Sequence, residues 1–193
     1  MLCESSNWYG THKIDIVVNA NLELPDKFCH LGDTLIVDGD AHAAVETRIR
    51  SGWNKFRQLV PLLNNKDISL IVRGRLHSRC MRSSILHGNE TRPIRKESEV
   101  ALQQEEMRMV RWMCGIKLQD RIPSKGLRGR LGLDDTILVL QQKRLQWYEH
   151  VLCKEDNDWV KKCVKYAVEG ASARGRPKKT WREIVVKDCQ VCN

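Results

Sequence analysis

The first candidate for catalysis is Asp134-Asp135, the only two adjacent aspartates in the chain. Two-metal phosphoryl transfer needs carboxylates that converge on cations about 3.5–4 Å apart. The context of this pair points elsewhere: Gly132-Leu133 precedes it in place of a strand, and a helical pattern follows. Acidic side chains at a helix start accept bonds from free N–H groups and complement the helix dipole. Capping is therefore the expected role. Asp38-Gly39-Asp40 reads as turn chemistry. No serine, histidine or cysteine sits in a nucleophile-elbow or Cys-loop signature. His77, His87 and His150 fall in or beside amphipathic helices and read as packing or surface groups. Cys189-x-x-Cys192 offers half a zinc site with no second pair nearby; completing it would take a remote cysteine or His150. No catalytic residue, metal, cofactor or small-molecule substrate is expected.

The basic residues carry more information. The 193-residue chain has a net charge of +9, a field that attracts polyanions. The excess is uneven. Before Gly39, six acids (Glu4, Asp15, Glu23, Asp26, Asp33, Asp38) face only Lys13 and Lys27. From Lys161 to Arg182, Glu169 alone opposes Lys161, Lys162, Lys165, Arg174, Arg176, Lys178, Lys179 and Arg182. This asymmetry fits a nucleic-acid partner at the C-terminal end, and equally a solvated basic face. Arg174-Gly175-Arg176-Pro177 matches the core of an AT-hook. Glycine would let the backbone approach the groove floor, proline favours an extended entry, and the arginines would run along a narrow A·T-rich minor groove. Lys178, Lys179 and Arg182 would add phosphate contacts that weaken with salt. The same run could also serve as a basic tether or an import tag.

Composition narrows the remaining classes. Apolar residues make up 41% of the chain and recur with clear period, so a modest core is expected. No apolar run approaches the roughly 20 residues of a membrane span. The opening MLCESSNWYG lacks a basic region followed by an apolar one. An intracellular location, nucleus or cytoplasm, is therefore expected, with the eight cysteines reduced.

These residues are positioned by elements of two periods. Ile14–Asn19 reads as a strand turning through Asn19-Ala20-Asn21 into Leu22–Leu24, a hairpin, and residues 28–40 carry one further strand. From Ala41 the period becomes helical. Val45, Ile49, Trp53, Phe56, Val60 and Leu63 form one long stripe. Ile68, Val72, Leu76 and Cys80 form a second, which leaves Arg73, Arg75, Arg79 and Arg82 on other, nucleic-acid-accessible faces. Leu102, Glu106, Val110 and Met113 form a third, ended by Gly115. A short helix through Leu127 and Leu131 stops at Gly132, and a longer one runs through Ile137, Leu140, Arg144, Tyr148 and Val151. That pair has the cadence of a helix-turn-helix, although the acidic, apolar start of its second helix opposes phosphate. A helix over 157–168, an exposed linker over 169–177 and a capped helix from Thr180-Trp181-Arg182-Glu183 complete the chain. The fold class is mainly α, with a short N-terminal β-hairpin plus strand, a helical bundle, and a basic tail leading into a short C-terminal helix.

Six phrases in fixed order have a family look: KFCHLGDTL (27–35), ETRIRSGWNKFRQL (46–59), ILHGNET (85–91), MVRWMCGI (109–116), KRLQWYEHVL (143–152) and GRPKKTWRE (175–183). Together they resemble the C-terminal end of the polyprotein of non-LTR (LINE-type) retrotransposons. The resemblance implies that 1–40 corresponds to the end of the polymerase palm, with Phe28, His30, Leu31 and Gly32 in a primer-grip-like strand. It implies thumb helices over 41–116, a post-thumb segment over 117–169, and a basic linker and helix over 170–193. The family's catalytic Tyr-x-Asp-Asp turn lies upstream of everything matched, so an RNA-binding and DNA-binding fragment without polymerase activity is expected. His30, Arg92 and Glu149 stand where the family usually has tyrosine, tryptophan and glycine, as in a drifting element copy. A small nuclear AT-hook protein, or a non-functional product of a decayed element, are the alternatives.

Overall fold

A computed structural model describes residues 27–30, 33–36, 42–165 and 180–192. The described chain is mainly helical. The backbone of Lys27–His30 (β1) pairs antiparallel with that of Asp33–Ile36 (β2), in the register Phe28↔Leu35 and His30↔Asp33. Two short strands therefore occupy a stretch where the sequence suggested one. The hairpin expected over 14–24 lies outside the described residues, as do Leu31 and Gly32 of the primer-grip-like set.

Eight helices follow among the described residues: α1 (His42–Leu63), α2 (Leu70–Leu76), α3 (Ser83–Leu86), α4 (Lys96–Met113), α5 (Ser124–Leu131), α6 (Thr136–Leu152), α7 (Trp159–Lys165) and α8 (Trp181–Cys192). A π-helical segment, His77–Arg82, joins α2 to α3. The α1 stripe faces the core as its spacing predicts, with Val45, Phe56 and Leu63 buried and Ile49, Trp53 and Val60 packed beside them. In α4, Leu102, Glu106, Val110 and Met113 are all buried. The core continues through Leu127, Leu131 and Leu140, so segments 41–116 and 117–169 both contribute to it.

Helix ends follow local chemistry. Asp135 caps α6 by accepting from the Ile137 N–H at 2.9 Å. Its role is thus the one its sequence context suggests. Gly115 and Gly132 have φ of +65° and +63° beyond the ends of α4 and α5. Around them the Ile116 N–H bonds the Arg111 carbonyl at 3.0 Å and the Leu133 N–H the Arg128 carbonyl at 2.9 Å. Both are Schellman closures, which need a left-handed residue without a Cβ penalty. At α8, Thr180 and Glu183 exchange bonds of 3.2 and 3.3 Å in a capping box.

The α2 stripe departs from expectation. Val72 is 43% exposed, and Leu76 and Cys80 are only half-buried, while Gly74, His77, Met81 and Arg82 are buried. Two contacts set this rotation. A Cβ on Gly74 would lie 1.9 Å from the Leu131 carbonyl oxygen, so only glycine lets α2 reach the backbone of α5. On the other side of the helix turn, the charge of Arg82 is drawn inward by Glu106.

Candidate nucleic-acid interface

The arginines divide into two classes by what they touch. Arg82, expected on an accessible face, is buried: its Nε donates to Glu106 Oε1 at 2.6 Å and its Nη2 to the Asp134 carbonyl at 2.8 Å. This corrects its assignment as a nucleic-acid contact, because a guanidinium buried at 4% exposure and paired with Glu106 is out of reach of phosphate. Thr136 also donates to Glu106, so α4 ties the π segment to the start of α6. His77 lies beside the pair, its Nδ1 3.9 Å from Glu106 Oε1, with neither ring nitrogen hydrogen-bonded among the described residues. Burial, and then the Arg82 charge, lower its pKa to about 3, so the ring is neutral near pH 7. Burial raises the Glu106 carboxyl against the pull of Arg82.

A second buried pair links Arg144 of α6 to Asp188 of α8, and Gln141 donates to the same aspartate at 3.2 Å. Trp181, at the start of α8, donates its indole N–H to the Glu90 carbonyl at 2.8 Å, and its ring meets Tyr148 edge-on at 6.0 Å. Three of the six family-like phrases therefore meet in space. GRPKKTWRE supplies Trp181, ILHGNET supplies Glu90, and KRLQWYEHVL supplies Tyr148. Sequence reasoning missed Asp188. The available signal was its spacing of three from Val185, which places it on the buried face of α8.

The second class is free to meet phosphate. Arg75 and Arg79 are exposed one helical turn apart, and neither forms an ion pair among the described residues. Gly74 meets Leu131 at the C-terminal end of α5, so Arg75 and Arg130 each lie one residue from that contact. Arg130 and, in the first turn of α5, Lys125 are also exposed and form no ion pair among the described residues. Burial pushes the Cys114 thiol up, against the pull of the Arg130 and Arg73 charges. Arg73 itself is occupied, donating to the Asn65, Ile68 and Met113 carbonyls at 2.7, 3.0 and 3.2 Å. Arg128 is paired with Asp135 at 3.0 Å. Exposed cations with no ion pair among the described residues thus include Arg75 and Arg79 and, on α5, Lys125 and Arg130, of which the last two were not anticipated.

The other candidates are placed as follows. Arg182 is exposed in the first turn of α8, while Arg174, Gly175, Arg176, Pro177, Lys178 and Lys179 lie outside the described residues. Phe28 and His30 lie in β1. The helix-turn-helix cadence does not yield a reading helix, because the start of α6 is committed to Arg82, Glu106 and Arg128. Glu149 is exposed and Arg92 half-buried, so neither departure from the family pattern places a charge fully in the core. Among the described residues no three histidine, cysteine or acidic side chains gather as a metal site, and no helix is long and apolar enough to cross a membrane. No family model matches the chain, and no curated protein or solved structure is significantly similar to it.

Proposed function

We propose that the chain is a fragment of a LINE-type reverse transcriptase, comprising the thumb and post-polymerase end, that binds RNA and DNA without sequence preference. The observation that carries the binding is that Arg75 and Arg130 flank the contact of α2 with α5 at Gly74 and Leu131, and that they, Arg79 of the π segment and Lys125 of α5 are all exposed with no acidic partner among the described residues. Exposed, unpaired guanidinium and ammonium groups bind phosphate by releasing counterions, a term independent of base sequence. The family reading is supported by the ordered phrases, three of which touch: Trp181 of one bonds Glu90 of a second and packs on Tyr148 of a third. Polymerase activity is not proposed. Asp135 is spent on a helix cap and Arg128, and the Asp134 carbonyl holds Arg82.

Binding is tested by titrating A·T-rich duplex, G·C-rich duplex and hairpin RNA at two salt concentrations. Similar affinities that fall steeply with salt are expected. Replacing both Arg75 and Arg79 with Gln should lower the salt slope by about 2, one unit per phosphate contact. No binding at low salt would sink the proposal. The sequence Arg174-Gly175-Arg176-Pro177 supports a second reading, an AT-hook protein of the nucleus. That reading requires a strong A·T preference abolished by Arg176→Ala.

A further inference from the structure

A shallow cleft of about 190 Å³ opens between α6, α7 and α8. It is lined by the apolar side chains of Val151, Leu152 and Val164, by Tyr148 as its one aromatic residue, and by the cationic residues Lys161, Lys165 and Arg182. The volume lies below the roughly 300–1,000 Å³ of pockets that enclose drug-sized ligands, which limits an occupant to about one ring system. The Tyr148 ring is held in place. Trp181 is fixed by its bond to the Glu90 carbonyl and packs edge-on against Tyr148. The three cations are not equivalent. Lys161 is consumed by the fold, donating to the Leu152 and Lys154 carbonyls at 3.0 and 2.8 Å and pairing with Asp156 at 3.0 Å. Lys165 reaches the same aspartate only at 3.6 Å, with both groups largely exposed. Arg182 is exposed and makes no ion pair among the described residues. An apolar cleft whose lining includes an aromatic side chain, an Arg182 unpaired among the described residues and a Lys165 held only by a loose, exposed pair with Asp156 is complementary to a planar ring that carries phosphate.

We infer that this cleft takes one unstacked nucleobase, with the flanking phosphates on Arg182 and Lys165, so that the chain binds single-stranded nucleic acid in preference to duplex. The inference rests on the nucleic-acid reading above and adds a strand preference to it. A duplex keeps its bases stacked and paired and can offer the cleft nothing but backbone. A single strand can present a base to an aromatic face, a contact that tolerates any sequence because every base has a π-face. The cleft lies on the α6–α8 side of the molecule, whereas the α2–α5 surface offers only charge and should not distinguish strandedness.

The test is fluorescence anisotropy of the full chain with a labelled 20-nucleotide single strand and with the corresponding 20-base-pair duplex, at matched salt. Wild type should bind the single strand more tightly. Tyr148→Leu, which keeps an apolar side chain but removes the ring, should weaken single-strand binding by about tenfold, within the range for one base–aromatic stack. It should leave duplex binding unchanged. Tyr148→Phe should behave as wild type, and Arg182→Gln should lower the single-strand salt slope by about 1. Equal affinity for the two forms in wild type overturns the inference. So does an equal loss for both forms in Tyr148→Leu, or a Tyr148→Phe defect as large as that of Tyr148→Leu. Failure of wild type to bind either form would instead remove the nucleic-acid reading itself.

Discussion

The centre of the bundle and the α6–α8 seam are both held by a buried arginine–carboxylate pair, yet the two are built differently. At the centre, Glu106 receives Arg82 and Thr136 and has the neutral His77 beside it, so three segments depend on one carboxylate. At the seam, Asp188 receives Arg144 and Gln141, both from α6, and holds down a single terminal helix. A buried ion pair is weak evidence for net stability, because desolvation offsets much of the Coulomb gain; removing one partner is nevertheless costly. The contrast teaches that the same pairing can weld a core or latch one element. The difference lies in how many segments would lose a partner, since each carboxylate faces a single buried arginine.

Three measurements should break or sharpen that contrast. The largest effect is expected for Glu106→Ala, which strands Arg82 in the core; chemical denaturation should show a loss of about 3–5 kcal/mol in one cooperative transition. Asp188→Ala should cost less, about 2–3 kcal/mol, since α8 can come away and let water reach Arg144. Amide exchange should then accelerate in α8 while α1 and α4 keep their protection. Equal, global loss in both variants would erase the distinction between weld and latch.

The smallest effect is a pH dependence confined to the centre. The folded pKa of His77 is depressed to about 3, so between its ordinary value and 3 the unfolded chain binds a proton that the folded chain refuses. Stability from this group is therefore lost as pH falls. Glu106 is shifted upward and contributes with the opposite sign, favouring the fold as it protonates. Comparison with His77→Gln cancels the carboxyl to first order. Going from pH 7 to pH 5 should cost the wild type about 2 kcal/mol more than the variant. Parallel stability curves for the two proteins would show that His77 is not held neutral. The seam has no buried histidine among the described residues and should show no such difference with Asp188→Ala as the comparison.

The boundary between legible and illegible features follows the distance over which each is decided. The long stripes of α1 and α4, the Asp135 cap, the glycine closures at 115 and 132 and the Thr180–Glu183 capping box all depend on residues within one or two turns. The sequence determined these alone, because backbone N–H and carbonyl groups at a helix end must be satisfied locally. The same reasoning placed Glu106 and Arg144 on inward stripes without revealing what would receive their charge. Only the tertiary structure decided that Arg82 turns inward while Arg75 and Arg79 stay out. That choice is made by Glu106, 24 residues away, and by the Asp134 carbonyl, 52 away. It also decided that Gly74 is a contact between helices, since the atom that forbids a Cβ belongs to Leu131. Trp181 and Glu90 meet across 91 residues. A periodic pattern tells which side of a helix is apolar, but a buried charge must find its counter-charge wherever the folded chain brings one.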